Sequence, residues 1–245
     1  RSVASRVRTS GMTATDMVAR VLALTKGWKY DVISLGYPGP VKDNRPSREP
    51  INIAGGWTTL DFQKAFGKPV RVINDAAMQA LGSYSGGRML FLGLGTGLGT
   101  SIVDDWRVEP LEIAHLPYRK EQSYEDYRGD AGLARVRDER WEQHVHLVGD
   151  LFRAALLCDT IVLGGGNARK LKSLPDATTR GSNENAILGG IRLWERVPGS
   201  TASASATPVR PLKGTCVTTF TIDFMALPPV AHIFGTCRLT HLGAT

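Results

Sequence analysis

Cysteine is scarce in this chain. Its three cysteines, Cys158, Cys216 and Cys237, stand far apart and form no CxxC pair. A disulfide framework is thereby excluded, and the spacing offers no zinc site, so a reducing cytoplasm is the expected compartment. No apolar run reaches the roughly 18 residues of a membrane span. The opening residues, Arg1-Ser2-Val3-Ala4-Ser5-Arg6-Val7-Arg8, are basic but no apolar stretch follows them, so they are not expected to be a secretory signal. Two nucleotide-binding fingerprints are also missing. No GxGxxG occurs in the glycine-rich stretch at 93–99, and no Gly-Lys-Ser/Thr of a P-loop follows it. Basic stripes with interleaved aromatics are lacking too, so nucleic acid is not an expected partner. Charge is nearly absent from one end: in residues 198–245 the only charged side chains are Arg210, Lys213, Asp223 and Arg238.

What is present describes a globular protein. Of 245 residues, 42% are apolar and 22% charged, enough for one large domain or two small ones. The net charge of +7 suits an anionic partner such as a nucleotide or polyphosphate. The positive residues are scattered, though: Arg135, Arg137 and Arg140 alternate with Asp138 and Glu139, the pattern of a solvated helix face.

Strands and helices alternate along the chain, the mark of an α/β protein. Thr13 is placed to cap a helix over about 14–25, with Met17, Val18, Val21 and Leu22 on one face. Strands are expected at 31–35, 70–73, 89–92, 101–103 and 160–163. Further helices are expected at 60–66, 76–82, 141–157 and 185–197. The low-charge segment 198–245 starts at the breaker Pro198-Gly199-Ser200 and shows neither helical nor strand periodicity. It reads as an appended, weakly structured tail.

Four motifs have chemical potential. Asn74-Asp75 lies between a strand and a helix, where α/β proteins gather binding residues. A carboxylate there can accept a proton from a substrate hydroxyl while an amide orients the substrate. The same two residues can equally serve as a helix cap. Gly93-Leu94-Gly95-Thr96-Gly97-Leu98-Gly99-Thr100 exposes backbone N–H groups on a turn between two strands, which suits phosphate; a ligand-free hairpin is the simpler alternative. Glu112 and His115, three residues apart, can face a sugar ring or form a surface pair. Gly164-Gly165-Gly166-Asn167 follows a strand and can receive an adenine, a phosphate or nothing.

Taken in order, these motifs resemble the ROK sugar kinases, and especially the polyphosphate-glucokinase branch. The likeness runs over about 12–197. It rests on Gly36-Tyr37-Pro38-Gly39, Asn52 with Trp57, Val72-Ile73-Asn74-Asp75-Ala76, Leu94 to Gly99, Glu112-Ile113-Ala114-His115 and Val162 to Asn167. The resemblance implies an actin-like ATPase (ribonuclease H-like) α/β fold with two lobes and a cleft. The small lobe would be 1–86 and the large lobe 87–197, with the tail at 198–245. Asp75 would be the catalytic base for the primary hydroxyl of glucose or a similar hexose. Gly39, Asn52, Asn74, Glu112 and His115 would hold the sugar. Gly95, Thr96, Gly97 and Gly99 would bind the transferring phosphates. Gly164, Gly165, Gly166 and Asn167 would lie near the nucleoside or its polyphosphate equivalent. Mg²⁺ would accompany ATP or polyphosphate, and a homodimer would be in keeping with such relatives.

The chain also departs from the family. ROK kinases normally open with a strand and an Asp-x-Gly-Gly-Thr loop, the first phosphate site, and no such sequence precedes the motifs here. The resemblance therefore implies an N-terminally truncated version of the fold. Many relatives carry a cysteine-rich zinc motif after the Glu–His pair. Residues 116–140 contain no cysteine, so His115 is expected to touch sugar and zinc is not expected. Two rival functions follow: a non-catalytic sugar-binding or regulatory protein, and a nicotinamide-dependent oxidoreductase. The missing GxGxxG and the strand that follows the glycine turn oppose the second.

Overall fold

The structure, a computed structural model, describes residues 2–8, 11–50, 54–95, 97–119, 121–128, 138–195, 217–221 and 230–236. Two five-stranded sheets carry the architecture. The first is assembled from both ends of the chain. Its strands are β1 (Ser2–Arg8), β2 (Val32–Tyr37), β5 (Val70–Asn74), β13 (Val217–Thr221) and β14 (Val230–Thr236), in the order β1-β14-β13-β2-β5. The second comes from one continuous stretch: β6 (Met89–Leu94), β7 (Leu98–Asp104), β8 (Arg107–Leu111), β11 (Thr160–Gly164) and β12 (Thr178–Arg180), in the order β12-β11-β6-β7-β8. Two small hairpins, β3 (Val41–Lys42) with β4 (Arg45–Pro46) and β9 (Pro117–Arg119) with β10 (Gln122–Ser123), decorate the loops.

The expected strands and helices are found, with modest changes at their ends. Helix α1 (Ala14–Leu24) begins at Thr13 with a full capping box. Thr13 Oγ1 accepts the Asp16 N–H at 3.1 Å, and Asp16 Oδ2 accepts the Thr13 N–H at 3.0 Å. Helix α2 (Phe62–Phe66) starts at Asp61, whose carboxylate accepts the Lys64 N–H, and stops at Gly67 in the left-handed region. Helix α3 (Asp75–Ser83) follows β5 directly. Helix α4 (Tyr124–Arg128) is short, α5 (Asp138–Ala155) is long, and α6 (Asn185–Arg192) closes the central part.

Within 198–245 the described residues, 217–221 and 230–236, form β13 and β14 of the first sheet, and the rest of the expected tail lies outside the described residues. Strand β13 pairs in parallel with β2, and β14 bridges β13 and β1 in antiparallel fashion. The runs Val217-Thr-Thr-Phe-Thr221 and Val230-Ala-His-Ile-Phe234 are rich in β-branched and aromatic residues, which suit strands. Short strands of this kind are not identifiable from periodicity alone.

Each sheet has its own core. Under the first, Trp57, Tyr37, Phe62, Phe66 and the apolar face of α1 cluster around β2 and β5. Trp57 is 1% exposed and packs its ring against Tyr37 and Phe62, so it is a core residue. Under the second, Trp141, Val145, Val148 and Phe152 of α5 pack on Leu90, Leu92, Ile161 and Leu163. Each such burial is worth roughly 1.5–3 kcal/mol.

Helices α3 and α6 join the two halves. Helix α3 packs against β2 and β5 of the first sheet and against β6, β7, β8 and β11 of the second, while α6 packs on α3, β2 and β13. The helices cross at backbone contact. A Cβ at Gly82 would collide with the Asn185 carbonyl, and one at Gly189 with the Met78 carbonyl. Arg192 then donates to the carbonyls of Leu81, Gly82 and Tyr84 at 2.7–3.0 Å, satisfying the orphan acceptors at the end of α3. Ser34 of β2 completes the joint. Its hydroxyl donates to the Gly190 carbonyl at 2.6 Å and accepts the Trp194 indole N–H at 2.8 Å.

Candidate functional site

The parallel strands of the first sheet end together. Thr221 pairs with Gly36, and Tyr37 pairs with Asn74, so the turn after β2 and the start of α3 meet at the carboxyl edge of the sheet. Open α/β sheets bind ligands at that edge. Asn74 ties the two segments. Its Oδ1 accepts the Ala77 N–H at 3.1 Å as the cap of α3, and its Nδ2 donates to the Gly39 carbonyl at 3.2 Å. The helix-cap alternative for this residue is therefore realised, together with a second bond that fixes the Gly36–Gly39 turn. Tyr37 braces the same turn by donating its hydroxyl to the Arg48 carbonyl at 2.7 Å. Burial, reinforced by the nearby Glu49 carboxylate, pushes its phenol above the usual tyrosine range and keeps it a donor.

Asp75 opens α3 and is 8% exposed. Its Oδ1 accepts the neighbouring Ala76 N–H at 2.8 Å. The glycine turn reaches this point from the other half of the molecule. A Cβ at Gly99 would stand 2.7 Å from the Ala76 Cβ, so only glycine allows β7 to approach the start of α3 so closely. The structure thus brings the Asp75 segment and the glycine turn together.

The turn itself joins β6 to β7, with Leu94 paired to Leu98 and the Gly95 N–H bonded to the Gly97 carbonyl at 3.1 Å. This is the strand–turn–strand arrangement expected from the sequence. Gly164 to Asn167 adjoins it. Gly165 has φ +80° and lies against the Leu94 backbone where a Cβ would clash, and Asn167 Nδ2 donates to the Gly95 carbonyl at 3.4 Å. Gly166 opens a 3-10 turn over Gly166–Lys170. The two glycine loops are therefore in direct contact.

Glu112 and His115 come next in space. Leu111 pairs with Thr100, and the Thr100 hydroxyl donates to the Leu111 carbonyl at 2.6 Å, which carries Glu112 to the flank of the glycine turn. Glu112 and His115 face each other at 3.3 Å on a 3-10 turn, with side chains 66% and 63% exposed. They form a solvent-facing pair, the simpler of the two sequence readings as far as their mutual contact goes. Asn52 and Thr96 lie outside the described residues.

Sequence reasoning missed Glu125. Its Oε2 accepts the Leu98 N–H of the glycine turn at 3.0 Å. No local pattern marks this residue, because Tyr124-Glu125-Asp126 reads as an ordinary polar helix start and the contact spans 27 positions.

No protein-family model and no curated protein matches this chain. Solved structures do. An inorganic polyphosphate/ATP-glucomannokinase from Arthrobacter sp. strain KM aligns with TM-score 0.58 at 21% identity, over 71% of this chain and 78% of that one. A ROK hexokinase from Thermus thermophilus gives 0.56 at 22% identity, over 71% and 82%. A ROK family protein from Streptococcus pneumoniae TIGR4, in complex with sucrose, gives 0.62 at 13% identity, over 75% and 86%. At these identities the likeness is one of fold, and this chain has the actin-like ATPase fold of the ROK sugar kinases.

Proposed function

We propose that this protein is a sugar kinase that transfers a phosphoryl group from ATP or polyphosphate to the primary hydroxyl of glucose or a similar hexose. The observation that carries this reading is the contact of Gly99 with Ala76, which sets the Asp75 carboxylate segment beside a turn rich in backbone amides. Phosphoryl transfer needs little more from a protein than positioning and charge stabilisation. Asp75 is the general base. Asn74, with the Gly39 turn it anchors, and the Glu112–His115 pair hold the hexose. Gly95, Gly97 and Gly99 receive the transferring phosphates, and Gly164, Gly165, Gly166 and Asn167 the remainder of the donor.

Mg²⁺ would arrive with the phosphate donor. Mg²⁺ is commonly bound by phosphate oxygens, waters and only one or two carboxylates. Bound in that way, the ion would neutralise the phosphate oxygens. The chain's own part is to present amides to the phosphates and a base to the hydroxyl.

A coupled assay of glucose phosphorylation, offering ATP and polyphosphate in turn, tests the activity. Asp75→Asn is expected to lower kcat by about 10²–10⁴-fold with hexose affinity retained. Undiminished turnover in that variant would remove Asp75 from the role of base. Hexose binding with no turnover from either donor would instead favour the non-catalytic sugar-binding alternative.

A further inference from the structure

We infer that Glu125 sets the affinity of the glycine turn for phosphate, because its carboxylate occupies the backbone amide that a phosphate oxygen would take. This inference rests on the reading of the turn as the phosphate site.

Two amides of the turn have specific partners. The Gly95 N–H is spent on the Gly97 carbonyl, closing the turn. The Leu98 N–H points instead to Glu125 Oε2 at 3.0 Å. A Cβ on residue 97 would lie 2.6 Å from the same oxygen, so the absence of a side chain at Gly97 leaves room for this carboxylate. The glycine that bares the turn for an anion also admits an anion from the chain itself. A carboxylate and a phosphate oxygen are both acceptors with negative charge, and one N–H cannot serve both at full strength.

The backbone behind Glu125 is well fixed. Tyr124 is 9% exposed, stacks on Tyr118 at 4.6 Å and meets Phe152 edge-on at 4.6 Å. Asp126 Oδ2 accepts both the N–H and the hydroxyl of Ser123 at 2.8 and 2.7 Å. Helix α4 is thereby held on both sides of Glu125, and a rotation of that side chain alone suffices to release the Leu98 amide. Glu125 acts as a removable internal anion: it satisfies the turn when no phosphate is present and opposes every phosphate that enters. The opposition grows with the charge of the entering chain, so it weighs more on a polyphosphate than on a single phosphate.

The test is calorimetry of the full chain with Mg²⁺-tripolyphosphate, comparing the parent with Glu125→Gln and Glu125→Ala, and melting curves for all three. Glu125→Gln keeps the shape and removes the charge. It is expected to bind tripolyphosphate about 10-fold more tightly, equivalent to about 1.4 kcal/mol, with the gain shrinking as salt screens the charge. Glu125→Ala is expected to gain affinity in the same direction. If the parent binds and neither variant binds more tightly while all three melt alike, Glu125 has no such role and the phosphate reading survives. If no form binds tripolyphosphate, the turn is not a phosphate site and both readings fall.

Discussion

The two sheets of this molecule have the same number of strands but were assembled differently. The second draws every strand from 89–180, with β6, β7 and β8 following one another as antiparallel neighbours. The first places the last two described strands between the first two, so β1 pairs with β14 and reaches β2 only through β14 and β13. Local pairing forms with little loop-closure entropy, while the first sheet must bring segments some 180 residues apart into register. The lesson is that one chain can contain a half legible from neighbouring residues and a half that only the completed chain specifies. Helices α3 and α6 bind the halves together, which places the candidate site where a local and a non-local structure meet.

The sharpest way to break this contrast is at the joint. Gly189→Val would drive a branched side chain into the Met78 carbonyl. A loss of about 3 kcal/mol or more is expected, with both halves losing protection together in hydrogen exchange. If the second sheet stayed protected, α3 and α6 would not be the common element described above. Next comes Phe220→Pro, which removes an N–H that faces β2, because the Ile33 N–H is bonded to the Pro69 carbonyl and the alternate residues Ser34 and Gly36 turn to β13. About 2 kcal/mol is expected from a lost ladder bond and its stranded partner. The amides of Val32–Tyr37 should exchange faster, and those of Met89–Leu94 should not. Equal loosening of the two sheets would show that they fold as one unit. The smallest effect is expected from Thr13→Ala. Loss of the capping box should cost about 1 kcal/mol, read from a denaturant midpoint with unchanged slope, and should leave the second sheet untouched.

Legibility followed the same divide. The helix at Thr13, the strand before Asp75 and the amphipathic α5 were readable because caps, short apolar runs and 3.6-residue spacing are properties of adjacent residues. Strands β13 and β14 take their place from partners in β2 and β1, which the low charge and missing periodicity of 198–245 do not reveal. At the site, the order of motifs pointed to Asn74, Asp75 and the glycine turn. The dual bonding of Asn74 left the two local interpretations compatible: the residue caps α3 and also grips the Gly39 carbonyl. Glu125 was invisible because nothing within its own helix distinguishes it.

By itself the sequence determined the alternation of strand and helix, the bare turn at 93–99 and a carboxylate at the mouth of a helix. These depend on torsional preference, side-chain spacing and the absence of Cβ atoms, which neighbours alone can fix. Tertiary structure decided that Ala76 touches Gly99, that Asn167 reaches Gly95 and that Glu125 takes the Leu98 amide. Such contacts follow from which distant strands pair and how closely two helices cross, and short-range patterns do not encode that choice.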